Sequence, residues 1–139
     1  MKLSSNHISS ATLSGLSLIF LGITLLTYFV SEHIFFWDTV QLASRHAHFY
    51  FENNFNELFL PDEIDSGHIP SFGIYLALAW KLFGKSLFVS HFAMLPFLYG
   101  IILQAWLLIK KYFPPQLSLP VLILLLADPT LLSQSILVS

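Results

Sequence analysis

The chain has 139 residues, of which 55% are hydrophobic and only 10% charged, and its mean hydropathy is +0.72. That balance exceeds what a soluble globular domain carries and points to an integral membrane protein. A net charge of −2 without an extended Lys/Arg run excludes a nucleic-acid or polyanion surface, and the absence of cysteine excludes disulfides, zinc-thiolate centres and a cysteine nucleophile.

The first apolar run, Ala11 to Val30, holds no charged residue and matches the roughly 20 residues that cross a bilayer as a helix. It reads as an uncleaved signal anchor. A cleaved signal peptide is the alternative, but the run is longer than a usual apolar leader core and no small-x-small site follows it. A second run, Leu87 to Ile109, contains only His91 as an ionisable group and stops at Lys110-Lys111, and a third extends from about residue 117 to 138 with a break near Asp128-Pro129. Both are long enough to span. Between the first and second runs, Ile69 to Leu82 contains Lys81 and is bounded by Pro70 and Gly84. At about 14 residues it suits an interfacial or re-entrant helix better than a full crossing. Three spans then place Lys2 and Lys110-Lys111 on one side and the acidic segment on the other, as the positive-inside rule prefers. A fourth crossing would instead move Lys110-Lys111 outside and bring Lys81 and Lys85 in. The expected fold is all-α: a polytopic membrane protein with about three transmembrane helices plus external juxtamembrane amphipathic helices. Residues 1–139 are expected to form a single amino-terminal membrane region of a longer chain, with residues 31–86 as its external part.

Seven of the eight acidic residues lie between Glu32 and Asp65, and this segment opens with Phe35-Phe36-Trp37-Asp38. A carboxylate just outside a membrane, beside lipid-seeking aromatics, suits an enzyme acting on lipid-linked substrates, which makes Asp38 the leading functional residue. An amphipathic helix is expected to start at Asp38-Thr39, where either side chain can cap free backbone N–H groups. Asp38, Gln41, Arg45, His48 and Glu52 recur at steps of three and four and share a polar face, while Val40, Ala43, Ala47 and Tyr50 occupy much of another. The simplest role for Arg45, Glu52 and Glu57 is a solvated surface. Phe35, Phe36, Trp37, Phe49, Tyr50 and Phe51 are residue types that settle at headgroup level. Residues 53–67 follow as a polar loop rich in turn formers. It carries Asp62, Glu63 and Asp65, with His68 just beyond, oxygen and nitrogen donors of the kind Mg²⁺, Mn²⁺ or Zn²⁺ accept. Their spacing fits no defined motif. His46 and His48, two apart on a helix, face different ways.

This order of features, a membrane helix, an aromatic-Asp pair, an acidic loop, Gly67-His68-x-Pro70 opening a short apolar helix, and Leu82-Phe83-Gly84-x-Ser86 before the next span, resembles the amino-terminal part of GT-C glycosyltransferases. The bacterial branch related to protein O-mannosyltransferases and lipid A aminoarabinose transferases is the most similar. The resemblance covers nearly the whole chain and implies an essential aspartate at Asp38. The family's His-Pro-Pro-Leu element falls on His68-Ile69-Pro70-Ser71, and its Lys-Leu-Phe-Gly-x-Ser element on Lys81 to Ser86. Thr39 stands where members commonly carry a second acid, and His91 where an arginine is frequent. The resemblance implies transfer of a sugar from a polyprenyl-phosphate donor at the external face of a bacterial plasma membrane. Arg45, His68 and Lys85 are the implied substrate contacts, Glu63 and Asp65 the candidate metal ligands, and a divalent metal the candidate cofactor. The bilayer, an acceptor and the remainder of the same chain are the other partners.

The competing reading is a non-enzymatic scaffold or assembly subunit whose acidic loop binds a cation or a protein. A transporter fragment is weaker, because no inverted repeat is visible and the one acid inside an apolar run, Asp128, precedes Pro129. An Asp-Pro pair ends one helical segment and starts the next, with Asp128 capping the break.

Overall fold

The computed structural model describes residues 10–34 and 43–136, with side chains through residue 132. Among these residues every regular element is a helix. They are α1 (Ser10–Val30), α2 (Arg45–Glu52), α3 (Ser71–Phe83), α4 (Leu87–Ala93), α5 (Leu95–Tyr112), α6 (Pro115–Leu126) and α7 (Pro129–Ile136).

Two helical stretches are long and apolar enough to cross a membrane: α1, with 21 residues, and the nearly continuous α4–α5, with 26. At 1.5 Å per residue they extend about 32 and 39 Å, against a hydrocarbon core of about 30 Å. Neither is wrapped by protein as the core helix of a soluble domain would be. On α1, only Leu16, Ile23 and Thr27 are buried, while Leu18 and Phe29 stand 68% and 72% exposed. Such apolar surface is of the kind that a membrane or another protein surface covers.

Prolines and caps punctuate the chain where the sequence places them. Pro96 has no N–H to donate back to Phe92, so the α4–α5 helix breaks at Met94, where N–H groups reach only three residues back: Met94 to His91 O and Phe97 to Met94 O, both 3.1 Å. Ser86 caps α4, its Oγ accepting from Val89 N at 3.2 Å. The stretch expected as a third span divides into α6 and α7, of 12 and 8 residues. Asp128 marks the division, its Oδ1 accepting from the N–H groups of Thr130 and Leu131, both at 2.9 Å.

Two cores organise the packing. Leu16 and Ile23 of α1 meet Leu98, Ile102, Trp106 and Ile109 of α5 and Leu122 of α6. The second core joins Ala47 and Tyr50 of α2 to Leu76, Ala77 and Trp80 of α3 and Ala93 of α4. The α2–α3 hairpin is thus a separate layer laid against the head of the α4–α5 stretch. At 13 residues, α3 is only about 20 Å long, and its inward face, Gly73, Leu76, Ala77 and Trp80, is covered by protein. Polar ties hold the layers together. Tyr75 OH donates to Ala93 O at 2.7 Å, Trp80 Nε1 donates to Ser90 Oγ at 2.8 Å, and the fully buried His91 places Nε2 3.0 Å from His33 O.

Candidate functional site

The two faces expected of the external helix are present on α2. Ala47 and Tyr50 are buried, whereas Arg45, His48 and Glu52 join Ser44, Phe49 and Ile64 around an open cleft of about 400 Å³. Tyr50, expected at headgroup level, belongs to the packed interior. Its hydroxyl donates to Leu58 O at 2.9 Å, fixing the start of the acidic loop. His46 and His48 diverge as their spacing requires, with His46 buried and His48 half-exposed. The expected helix start at Asp38-Thr39 lies outside the described residues. Helical backbone is described from a π-helical turn at Ala43–Ser44 onward.

Long-range ties give the cleft its floor. His46 Nε2 lies 3.1 Å from Ile64 O and 3.4 Å from Ser66 Oγ, so the loop is held against α2. That hold depends on Gly73 of α3: a Cβ there would sit 2.5 Å from His46 Cβ, so the two helices cross at a point where only hydrogen fits. Asp65 Oδ1 accepts from Gly67 N at 2.9 Å, and Gly67, at φ +73°, takes the left-handed conformation that glycine adopts without strain. Tyr50 has its phenol pushed above the ordinary value first by burial and then by the negative charge of Asp65.

Charge in the cleft centres on Glu52. Its Oε1 is 3.4 Å from Lys85 Nζ and 3.6 Å from His48 Nδ1. The Lys85 ammonium also lies over the rings of Phe51 and Trp80, 5.3 and 5.5 Å from their centroids, where the ring quadrupoles favour a cation. Arg45 is placed differently. Its Nη2 donates to the neutral carbonyl of Glu63 at 2.9 Å, and among the described residues no carboxylate lies within ion-pair distance of it. Arg45 and Glu52, seven residues apart, are separated by about 10 Å along the helix. Among the described residues, the cleft therefore has a guanidinium without a carboxylate partner at one end and Glu52, paired with Lys85 and His48, at the other.

Of the residues singled out from sequence, Arg45 lines this cleft and Lys85 reaches it only through its contact with Glu52. His68 is exposed and is not among its lining. Glu63 and Asp65 are exposed loop residues, and among the described residues no three His, Asp or Glu side chains come together in a group able to hold a metal. Asp38, the candidate base, lies outside the described residues. Glu52 is exposed, as its place on the polar face predicts, and it also bridges His48 and Lys85, which the sequence does not reveal. The signal was present in part, since His48 and Glu52 stand four apart on one helix, but the Lys85 contact spans 33 residues. His46 was likewise missed as the anchor of the loop.

No known protein family, characterised protein or solved structure matches the chain.

Proposed function

We propose that the chain forms the amino-terminal part of a GT-C type membrane glycosyltransferase, transferring a sugar from a polyprenyl-phosphate donor to an acceptor on the external membrane face. The observation that carries this reading is Arg45. It is a guanidinium without a carboxylate partner among the described residues, lining an open cleft, on a helix packed against α3 and Ala93 of α4 in a chain with two helices of membrane-spanning length. A phosphate at headgroup depth is the ligand such a group suits, because its planar N–H fork matches phosphate oxygens and its charge is retained at any physiological pH.

In the reaction, an acceptor oxygen bonds to the anomeric carbon as the bond from that carbon to the donor phosphate breaks. The acceptor's proton passes to Asp38, and the departing phosphate takes the bonding electrons and is met by Arg45. Lys85 can join if it exchanges Glu52 for the phosphate, and His68 supplies a further donor at the loop's end. A divalent metal on Glu63 and Asp65 would need Asp38 or another residue outside the described segment as a third ligand, so no step is assigned to it. Three spans, with α6–α7 as the broken third, leave the acidic loop outside a bacterial plasma membrane, and the remainder of the chain completes the enclosure of donor and acceptor. A scaffold whose loop binds a cation or partner is the second reading, favoured by the exposure of Glu57, Asp62, Glu63 and Asp65.

The deciding experiment is glycan transfer by the full-length Asp38→Asn protein in membranes. Transfer is expected to fall by about two to four orders of magnitude, as loss of a general base does, with expression and insertion unchanged. Retained transfer would overturn the role of Asp38, and absence of transfer in the unaltered protein would favour the scaffold.

A further inference from the structure

Neighbouring side chains of α2 hold neighbouring carbonyls of the acidic loop. Arg45 Nη2 donates to Glu63 O at 2.9 Å and His46 Nε2 to Ile64 O at 3.1 Å, each across 18 residues of chain. The loop offers these acceptors because it makes a single helical turn. Ile64 N and Asp65 N both donate to Pro61 O at 3.0 Å. Gly67 N, which a further turn would direct to Glu63 O, bonds to Asp65 Oδ1 instead, so the carbonyls of Glu63 and Ile64 are left to α2. The two donors differ in setting. Arg45 is exposed and lines the cleft, whereas His46 is only 3% exposed. A carbonyl only accepts, so Nε2 carries the proton in that bond. His46 is also pinned at its base, where a Cβ on Gly73 would come within 2.5 Å of its own Cβ.

We propose that His46 is a positioning residue for the phosphate contact of Arg45. This role rests on the reading of Arg45 as the group that meets the donor phosphate, and it names the residue that holds that group ready. An exposed arginine samples many rotamers, and ordering it on binding weakens affinity. Here Glu63 O takes one N–H of the fork and leaves the rest for an anion in the cleft. That carbonyl belongs to the planar peptide unit leading into Ile64, whose own carbonyl His46 grips from a buried position. The sheltered bond thus steadies the exposed one. Without it, the carboxylates of Asp62, Glu63 and Asp65 on the same loop compete for a freed guanidinium, and pairing with any of them cancels the charge that a phosphate needs.

The test is binding of a polyprenyl monophosphate to the full chain in phosphatidylcholine bilayers. His46→Leu keeps the bulk and removes the donor, and it is expected to weaken binding about two- to tenfold, the range for one long side chain that must be ordered on binding. His46→Gln places an amide N–H at similar reach and should restore affinity. In an Arg45→Ala background His46→Leu should add nothing, because it acts through Arg45. Tyr50→Phe, which frees the loop at Leu58 O, should bind like the unaltered protein. Unchanged binding in His46→Leu, no rescue by glutamine, a loss that adds to that of Arg45→Ala, or an equal loss in Tyr50→Phe would each overturn the positioning role. Hydrogen exchange checks it without any variant: the Ile64 and Asp65 amides should exchange slowly in the ligand-free protein, and fast exchange would show that the loop is not held in advance, which also overturns it. Failure of the underlying reading looks different. No binding by the unaltered protein, or full binding by Arg45→Ala, would remove Arg45 as the phosphate group and the role of His46 with it.

Discussion

Lys85 Nζ and Glu52 Oε1 stand 3.4 Å apart, joining α2 to the turn before α4 across 33 residues of chain. The two side chains are 33% and 66% exposed, so water screens the pair and its net contribution is about 0.2–1 kcal/mol, falling with salt. Lys85→Met keeps most of the packing on Phe51 and Trp80 but removes the charge. Thermal unfolding in detergent is expected to shift little. A drop in transfer of about tenfold or more, equivalent to about 1.4 kcal/mol in the barrier, would then assign the ammonium to a bound phosphate. A drop matching the small stability change would leave Lys85 as a tie between helices.

Gly73→Ala should destabilise the α2–α3 layer, although alanine is the better helix former by about 1 kcal/mol. The added Cβ would approach His46 Cβ to 2.5 Å and the Ala47 amide nitrogen to 3.2 Å. Neither is the flexible end of a side chain, so the helices must separate, at about 1–3 kcal/mol by analogy with overpacked cores. Gly22, where a Cβ meets nothing within 4 Å, provides the contrast, and Gly22→Ala should be neutral or stabilising. Denaturation of both variants, followed by helical circular dichroism, checks the difference in sign.

Tyr50 gives the α2–α3 layer an alkaline limit. Burial, and after it the Asp65 charge, raise its folded pKa above the ordinary 10.0, so the folded state holds the phenolic proton more tightly than the unfolded chain does. The resulting stability is fully present below about pH 10 and is lost as pH rises through the folded value. Tyr50→Phe should remove that alkaline loss while weakening the fold near neutrality by about 1 kcal/mol through the missing bond to Leu58 O. Asp65→Asn should bring the Tyr50 titration, followed by tyrosinate absorbance, down toward the ordinary value. An unchanged titration in Asp65→Asn would remove Asp65 as a cause.

What was legible in the sequence is what repeats locally. The extent of α1, the polar stripe of Arg45, His48 and Glu52, the shortness of α3 and the break at Asp128-Pro129 all follow from run length, helical spacing or a proline. What was not legible is what depends on distant partners. Nothing within ten residues of His46 indicates that its imidazole meets Ile64, or that Gly73 must lack a side chain to let it do so. Tyr50 shows the same limit: an aromatic near a membrane reads as an interfacial anchor, and only the Leu58 carbonyl and the α3 face make it a core residue. Asp38 stays a matter of sequence, since it lies outside the described residues.

Asp128 separates a structural carboxylate from a chemical one. An acid within an apolar stretch is costly and often functional, yet here Oδ1 accepts from both Thr130 N and Leu131 N at 2.9 Å, satisfying two of the backbone donors freed at the start of α7. Asparagine retains an acceptor oxygen of the same reach without the charge, and alanine retains neither. If capping is the whole role, Asp128→Asn should fold and transfer like the unaltered protein, whereas Asp128→Ala should lose about 0.5–2 kcal/mol of stability, the usual range for a lost cap. Detergent melting temperatures and membrane transfer rates measured on both variants decide it. Inactivity of a well-folded Asp128→Asn protein would mean that the charge acts on substrate, and the break at Pro129 would then be part of the site.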